Sequence, residues 1–187
     1  MIARMRPRPA VFIERDGILN EVSLQGRHFT TPLTFADFRM KLDAVEPLQR
    51  LRTGGFLLIV TSNQPGLSRG HLSRRELDLM HQFLRAKFPV DDILICPHEE
   101  VDRCPCRKPR PGLLKEAAFQ WKIDLPHSYV IGTTWQDAEV AMAAGCTSLL
   151  IDSPWIGNTH HDCLVSDLGS AVEKIFSLRQ RYQFASL

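Results

Sequence analysis

An apolar run, Val11-Phe12-Ile13, leads straight into Glu14-Arg15-Asp16-Gly17. Side chains on a strand alternate between faces, so residues two apart point the same way. Glu14 and Asp16 therefore project together from the carboxyl end of a strand. That is where open parallel sheets gather their ligands. The expectation is an α/β sheet with a polar site at one edge.

The remaining periodicity agrees. Strand-like runs recur at 56–60, 93–95, 129–131 and 148–151. Between them lie helical patterns. Val45, Leu48 and Leu51 share one face before Gly54-Gly55, and Ser73-Arg74-Arg75-Glu76 spells a capping box ahead of Leu77, Met80, Phe83, Leu84 and Phe88. Leu113, Leu114, Ala117 and Ala118 open a third helix, 139–144 a fourth ended by Gly145, and 168–178 a last one. Strands alternating with helices predict a parallel sheet covered on both faces, a three-layer sandwich. The 187 residues suit one domain, placed at 10–178, with a flexible N-terminal tail over 1–9 and a frayed C-terminal tail over 179–187.

Composition removes several classes of function. A net charge of +2 is too small to argue for nucleic acid or an anionic membrane surface. The longest apolar runs are strand-sized, and Arg4, Arg6 and Arg8 are not followed by the apolar core of an export signal. A cytoplasmic location is expected. There the five cysteines are thiols or metal ligands, not disulfides.

Four blocks carry chemistry. Cys96-x-His98 and Cys104-x-Cys106 place four soft or borderline donors close together, the spacing of a closed structural zinc site, with a metal-free thiol loop as the alternative. Pro97 and Pro105 stiffen the two pairs. Cys146 and Cys163 lack such neighbours and read as small buried hydrophobes. The loop Thr61-Ser62-Asn63-Gln64-Pro65-Gly66-Leu67-Ser68-Arg69-Gly70 offers hydroxyls and backbone amides as a phosphate cradle, with Arg69 as a further anion contact. Arg107-Lys108 supplies a planar fork and a fixed positive charge for a transferring phosphoryl group. Last comes Gly132-Thr133-Thr134-Trp135-Gln136-Asp137, where Asp137 is either a metal ligand or a favourable acid in a helix's first turn.

In this order and at these intervals the blocks resemble the capless phosphatases of the haloacid dehalogenase superfamily. The nearest type acts on D-glycero-D-manno-heptose 1,7-bisphosphate, with histidinol-phosphate phosphatases as cousins. The resemblance runs over about 10–178. It implies that Glu14 stands at the nucleophile position and Asp16 at the general acid/base position. It further implies that Ser62, Asn63 and Lys108 bind phosphate, that Arg69 and Arg107 lie near the substrate, and that Cys96, His98, Cys104 and Cys106 hold zinc. Magnesium would sit among the nucleophile carboxylate, the Asp16 carbonyl and an acid whose place Thr133 takes, with Asp137 as a substitute ligand. The family pattern has Asp where this chain has Glu14, and Asp again where it has Thr133. The expected function is a sugar-phosphate phosphatase-like protein, catalytically impaired but retaining its phosphate site. Its partner would be a sugar phosphate, phosphate or a protein. The alternative is an active magnesium-dependent phosphatase.

Overall fold

The computed structural model describes residues 7–25 and 28–185. Strand β1 (Ala10–Glu14) is followed by a short antiparallel hairpin, β2 (Ser23–Gln25) and β3 (His28–Thr30). Then come α1 (Val45–Thr53), β4 (Leu57–Asn63), α2 (Arg74–Lys87) and β5 (Asp92–Cys96). The chain continues through α3 (Gly112–Trp121), β6 (Tyr129–Gly132), α4 (Trp135–Ala144), β7 (Thr147–Ile151), β8 (Cys163–Val165) and α5 (Leu168–Ala185). Six strands form one sheet in the order β5-β4-β1-β6-β7-β8, every neighbouring pair parallel. This is the three-layer α/β architecture expected from the alternation of strands and helices. Among the described residues, the only sheet outside it is the β2–β3 hairpin.

Alternation along β1 decides which layer each residue serves. Val11 and Ile13 pack with Leu48 and Leu51 of α1, Leu77, Met80 and Leu84 of α2, and Ala171, Val172 and Ile175 of α5. Ala10 and Phe12 pack on the other face, with Leu113, Leu114 and Ala117 of α3 and Val140 and Ala141 of α4. Each face is a buried apolar layer, and burial of these layers is the main force holding the sheet. The same parity carries forward. Glu14 continues the α3/α4 face and Arg15 the α2 face, which sorts the polar residues beyond the strand's end.

The ends differ from expectation. The predicted C-terminal tail is helical: α5 runs past Leu178 to Ala185. Arg179 helps anchor it, its guanidinium 4.9 Å over the Phe56 ring and donating to the Gly54 carbonyl. Of the predicted N-terminal tail, residues 1–6 lie outside the described residues, while Arg8 is tied down. Its amide donates to the Lys122 carbonyl at 3.1 Å, and its carbonyl accepts from Asp124 N at 2.9 Å. The fourth helix begins at Trp135, earlier than the apolar pattern placed it, because a capping box formed by Thr134 and Asp137 starts it. The three-residue edge strand β8 was too short to show periodicity. Its Cys163 is half-buried, so of the two spare cysteines only Cys146 is a core residue.

Candidate active site

Glu14 ends β1 and pairs in register with Thr61 of β4, so the first acid and the Ser62 loop emerge side by side. Its Oε1 accepts from the Asp16 amide at 3.1 Å, folding the longer side chain back over the strand's end. Its Oε2 accepts from the Lys108 ammonium. Lys108 reaches the strand from the loop before α3 and also donates to Asp137 Oδ1 at 2.6 Å. All three groups are buried. Asp137 Oδ2 is equally committed, accepting from the amides of Thr133 and Thr134 at 3.1 Å and from the Thr134 hydroxyl at 2.8 Å. Gly132 makes this approach possible, since any β-carbon there would overlap Asp137.

One cation thus serves two carboxylates in a water-poor pocket. Burial pushes the Glu14 carboxyl up to about 7, against the pull of Lys108 and with Asp137 and Asp16 adding to the rise. Burial alone would lower the Lys108 ammonium, but Asp137 and Glu14 hold it above the ordinary lysine value.

Asp16 has a separate set of partners. Arg15, wholly buried, donates to Asp16 Oδ1 at 2.9 Å and Oδ2 at 3.1 Å through one terminal nitrogen, with Nε 3.2 Å from Oδ1. Asn20 donates to Oδ1 at 3.1 Å, and Ser62 Oγ and Gln64 Nε2 to Oδ2 at 2.9 and 2.7 Å. On its other side Arg15 lies 3.5 Å from His81 Nε2 of α2 and 5.9 Å from the Phe38 ring centroid. Burial, then the charges of Arg15 and Arg85, lower His81 to about 4. Arg15, Asn20, Gln64 and His81 were not among the sequence-derived site residues. The signal for Gln64 was its place two residues after Ser62, on the same side. The signal for Arg15 was its parity with Ile13, which sends it toward α2.

The metal-ligand spacing closes into a cluster. The donor atoms of Cys96, His98, Cys104 and Cys106 all lie within 4.8 Å of one another. Sulfur–sulfur separations are 3.2 to 3.5 Å, and His98 Nδ1 is 3.6 Å from Cys96 Sγ and 3.3 Å from Cys106 Sγ. A tetrahedron of zinc–thiolate bonds has edges of about 3.8 Å, so the donor set fits one tetrahedral ion with little adjustment. Burial works against ionising Cys104, but hydrogen bonds from Cys106 and Cys96 bring it down to about 7. Gly112 lets α3 start directly against this loop, where a side chain would meet the Pro105 carbonyl. Asn63 joins the loop to β4, its side chain donating to the Lys108 carbonyl at 3.2 Å and accepting from the Lys108 amide at 3.0 Å.

The structure therefore brings together Glu14, Asp16, Ser62, Asn63, Lys108 and Asp137 at the carboxyl edge of the sheet. Arg69 and Arg107 are placed differently. Arg69 pairs with Glu99 at 3.0 Å, and Arg107 donates to the His98 carbonyl at 3.0 Å with Glu100 at 3.4 Å.

Comparison with known proteins accounts for this arrangement. Residues 105–167 match a family model described as HAD-hydrolase-like. A D-glycero-beta-D-manno-heptose-1,7-bisphosphate 7-phosphatase of Rhodopseudomonas palustris is 30% identical over 157 residues, 78% of this chain and 84% of that protein. The enzyme of the same name from Escherichia coli is 31% identical over 148 residues, 73% of this chain and 74% of its own length. The chain belongs to the haloacid dehalogenase-like phosphatases. A crystal structure of D,D-heptose 1.7-bisphosphate phosphatase from B. bronchiseptica, complexed with magnesium and phosphate, superposes with a TM-score of 0.75 at 24% identity. That alignment covers 90% of this chain and 98% of the other, and it shows a shared fold.

Around Thr133 the carboxylate oxygens are already taken up by other partners. Hard magnesium takes oxygen ligands, carboxylates foremost, in a near-octahedral array. Here a buried neutral threonine, Thr133, follows Gly132, its side chain beside Gly17. The Asp137 oxygens are engaged by Lys108 and by the start of α4, and the Glu14 oxygens by Lys108 and the Asp16 amide. As arranged, these donors do not fit a magnesium ion. No helix among the described residues is long and apolar enough to cross a membrane.

Proposed function

We propose that this chain is a sugar-phosphate-binding member of its family in which hydrolysis is strongly impaired. The observation that carries this reading is Lys108 shared by Glu14 and Asp137, and the family resemblance, which implies a metal-binding acid where Thr133 stands, supports it. Phosphoryl transfer depends almost entirely on positioning and on neutralising developing charge. Glu14 keeps a carboxyl group but carries an extra methylene, and a misplacement of about 1 Å can cost on the order of a hundredfold in rate. Thr133 withdraws one anionic ligand from the place where a divalent ion would do the neutralising.

The anion site outlasts the chemistry. Lys108 remains as a fixed cation, and the Ser62 hydroxyl, which here donates to Asp16, would turn to a bound phosphate. Two buried carboxylates already share that cation, so a phosphate dianion enters a site without surplus positive charge. Binding should be weak and salt-sensitive. The Cys96, His98, Cys104 and Cys106 cluster is proposed to hold a structural zinc ion that orders the loop carrying Lys108.

The alternative, an active magnesium-dependent phosphatase, is supported by the retention of Asp16, Ser62, Lys108 and Arg107 in the family's positions. Phosphate release from sugar mono- and bisphosphates, assayed with and without magnesium alongside binding of inorganic phosphate, separates the two. Binding without appreciable release is the expected result. Robust magnesium-dependent hydrolysis abolished by Glu14→Gln would overturn it.

A further inference from the structure

We infer that Glu99 and Glu100 are specificity-determining residues that turn the rim of this site against a ligand carrying a second phosphate, favouring a sugar monophosphate. This rests on the anion-site reading given above and deepens it. The rim is formed where two loops meet: the one following β4, which carries Arg69, and the one following β5, which carries Arg107 and Arg110. Three arginines stand there, Arg69, Arg107 and Arg110, enough to hold a second anionic group. Their own chain supplies the counter-charge.

Glu99 binds Arg69 at 3.0 Å. Glu100 uses both carboxylate oxygens, one paired with Arg110 and the other 3.4 Å from Arg107. Asp102 accepts from the Glu99 amide at 2.8 Å, fixing the short turn that presents the two glutamates. Arg107 is also held by the His98 carbonyl, so its fork is oriented along the loop. The Glu100 side chain is 64% exposed, whereas that of Arg107 is 15% exposed. The carboxylate thus lies on the outer side of the cation, where an arriving anion would meet it.

Chemistry gives the consequence. A first phosphate is drawn to Lys108, which is buried and pairs with Glu14 and Asp137, not with these glutamates. A second phosphate at the rim must displace carboxylates from Arg69, Arg107 and Arg110, or lie beside them as a like charge. Either way its contribution is diminished, while the hydroxyls of a monophosphate's sugar can accept or donate beside paired charges at little cost. Exposed ion pairs are individually weak, so the effect of removing both glutamate charges should be on the order of tenfold and should fade in high salt.

The test measures binding of inorganic phosphate, fructose 6-phosphate and fructose 1,6-bisphosphate at low ionic strength to the unaltered protein, Glu100→Gln and Glu99→Gln/Glu100→Gln. The unaltered protein should bind the bisphosphate no more tightly than the monophosphate. The double variant should gain on the order of tenfold for the bisphosphate and less than about twofold for the other two probes, with Glu100→Gln intermediate. An unaltered protein that strongly prefers the bisphosphate, or variants that leave the ratio unchanged while still binding inorganic phosphate, would overturn this inference alone. No binding of inorganic phosphate to the unaltered protein would remove the anion-site reading and this inference with it.

Discussion

The Lys108 ammonium lies 2.6 Å from Asp137 Oδ1, with the side chains only 3% and 1% exposed. Asp137 also caps the first turn of α4, so one carboxylate fixes both a helix start and the cation of the site. Position and charge are coupled through a single residue.

Lys108→Met follows directly. Removing one member of a buried ion pair leaves the other desolvated and uncompensated, which costs about 3–5 kcal/mol. Here two carboxylates lose their partner, so the upper part of that range is expected in urea unfolding, together with loss of phosphate binding. Asp137→Asn should cost less, since the amide oxygen can still accept from the Thr133 and Thr134 amides and Glu14 still pairs with Lys108. Equal stabilities for Lys108→Met and the unaltered protein would show that Glu14 and Asp137 are not held as charges by this lysine.

The zinc reading gives a second expectation. Protein purified without chelators should contain about one zinc per chain, because the donor set is closed. Cys104→Ser should lower the zinc content and the melting temperature. It should also weaken phosphate binding, because the cluster lies in the loop that carries Lys108. Metal analysis that finds no zinc in the unaltered protein would remove the claim.

Much of this was legible in the sequence because it depends on short-range rules. Strand alternation placed Glu14 at the sheet edge, and the interval from Cys96 to Cys106 was enough to assemble the cluster. What the sequence hid depends on long side chains and on distant partners. Arg15 follows the parity of Ile13 toward α2, yet its guanidinium curls back onto Asp16, which alternation alone would not place there. Arg69 and Arg107 looked like free cations because Glu99 and Glu100 had no pattern to mark them as partners. The helix beyond Leu178 also meets a distant partner, Arg179 lying over the Phe56 ring just before β4.

His81 offers a test of the Arg15 side of the site. Its pKa is lowered to about 4, first by burial and then by the neighbouring Arg15 charge. A depressed folded-state value means that His81 contributes stability above the ordinary value near 6.5, lost as pH falls through about 4. In an NMR titration of the histidine ring signals, His81 should remain neutral well below pH 6. His81→Gln should lessen the loss of stability between pH 6.5 and 4. A His81 signal that titrates near 6.5 would mean that the ring is solvated and apart from Arg15.

Rebuilding the reaction centre is the most demanding expectation. On the proposed function, Glu14→Asp shortens the side chain to the length the family resemblance implies, and Thr133→Asp adds an anionic oxygen beside Gly17. Neither suffices alone. A correctly placed nucleophile still lacks charge neutralisation, and a restored metal ligand still serves a carboxylate folded back onto the Asp16 amide. Groups that act as a unit show non-additive effects, so each single variant should gain at most about tenfold in magnesium-dependent phosphate release. The double variant should gain at least about a hundredfold, the scale set by restoring the misplaced nucleophile in the presence of its metal. A returned acid also gives the ion the carboxylate shell it requires, so the double variant should bind magnesium where the unaltered protein does not. A folded double variant that binds magnesium yet releases no phosphate would show that Glu14 and Thr133 are not the only lesions. Equal activity in the parent and the double variant would show that Glu14 and Thr133 never limited the reaction.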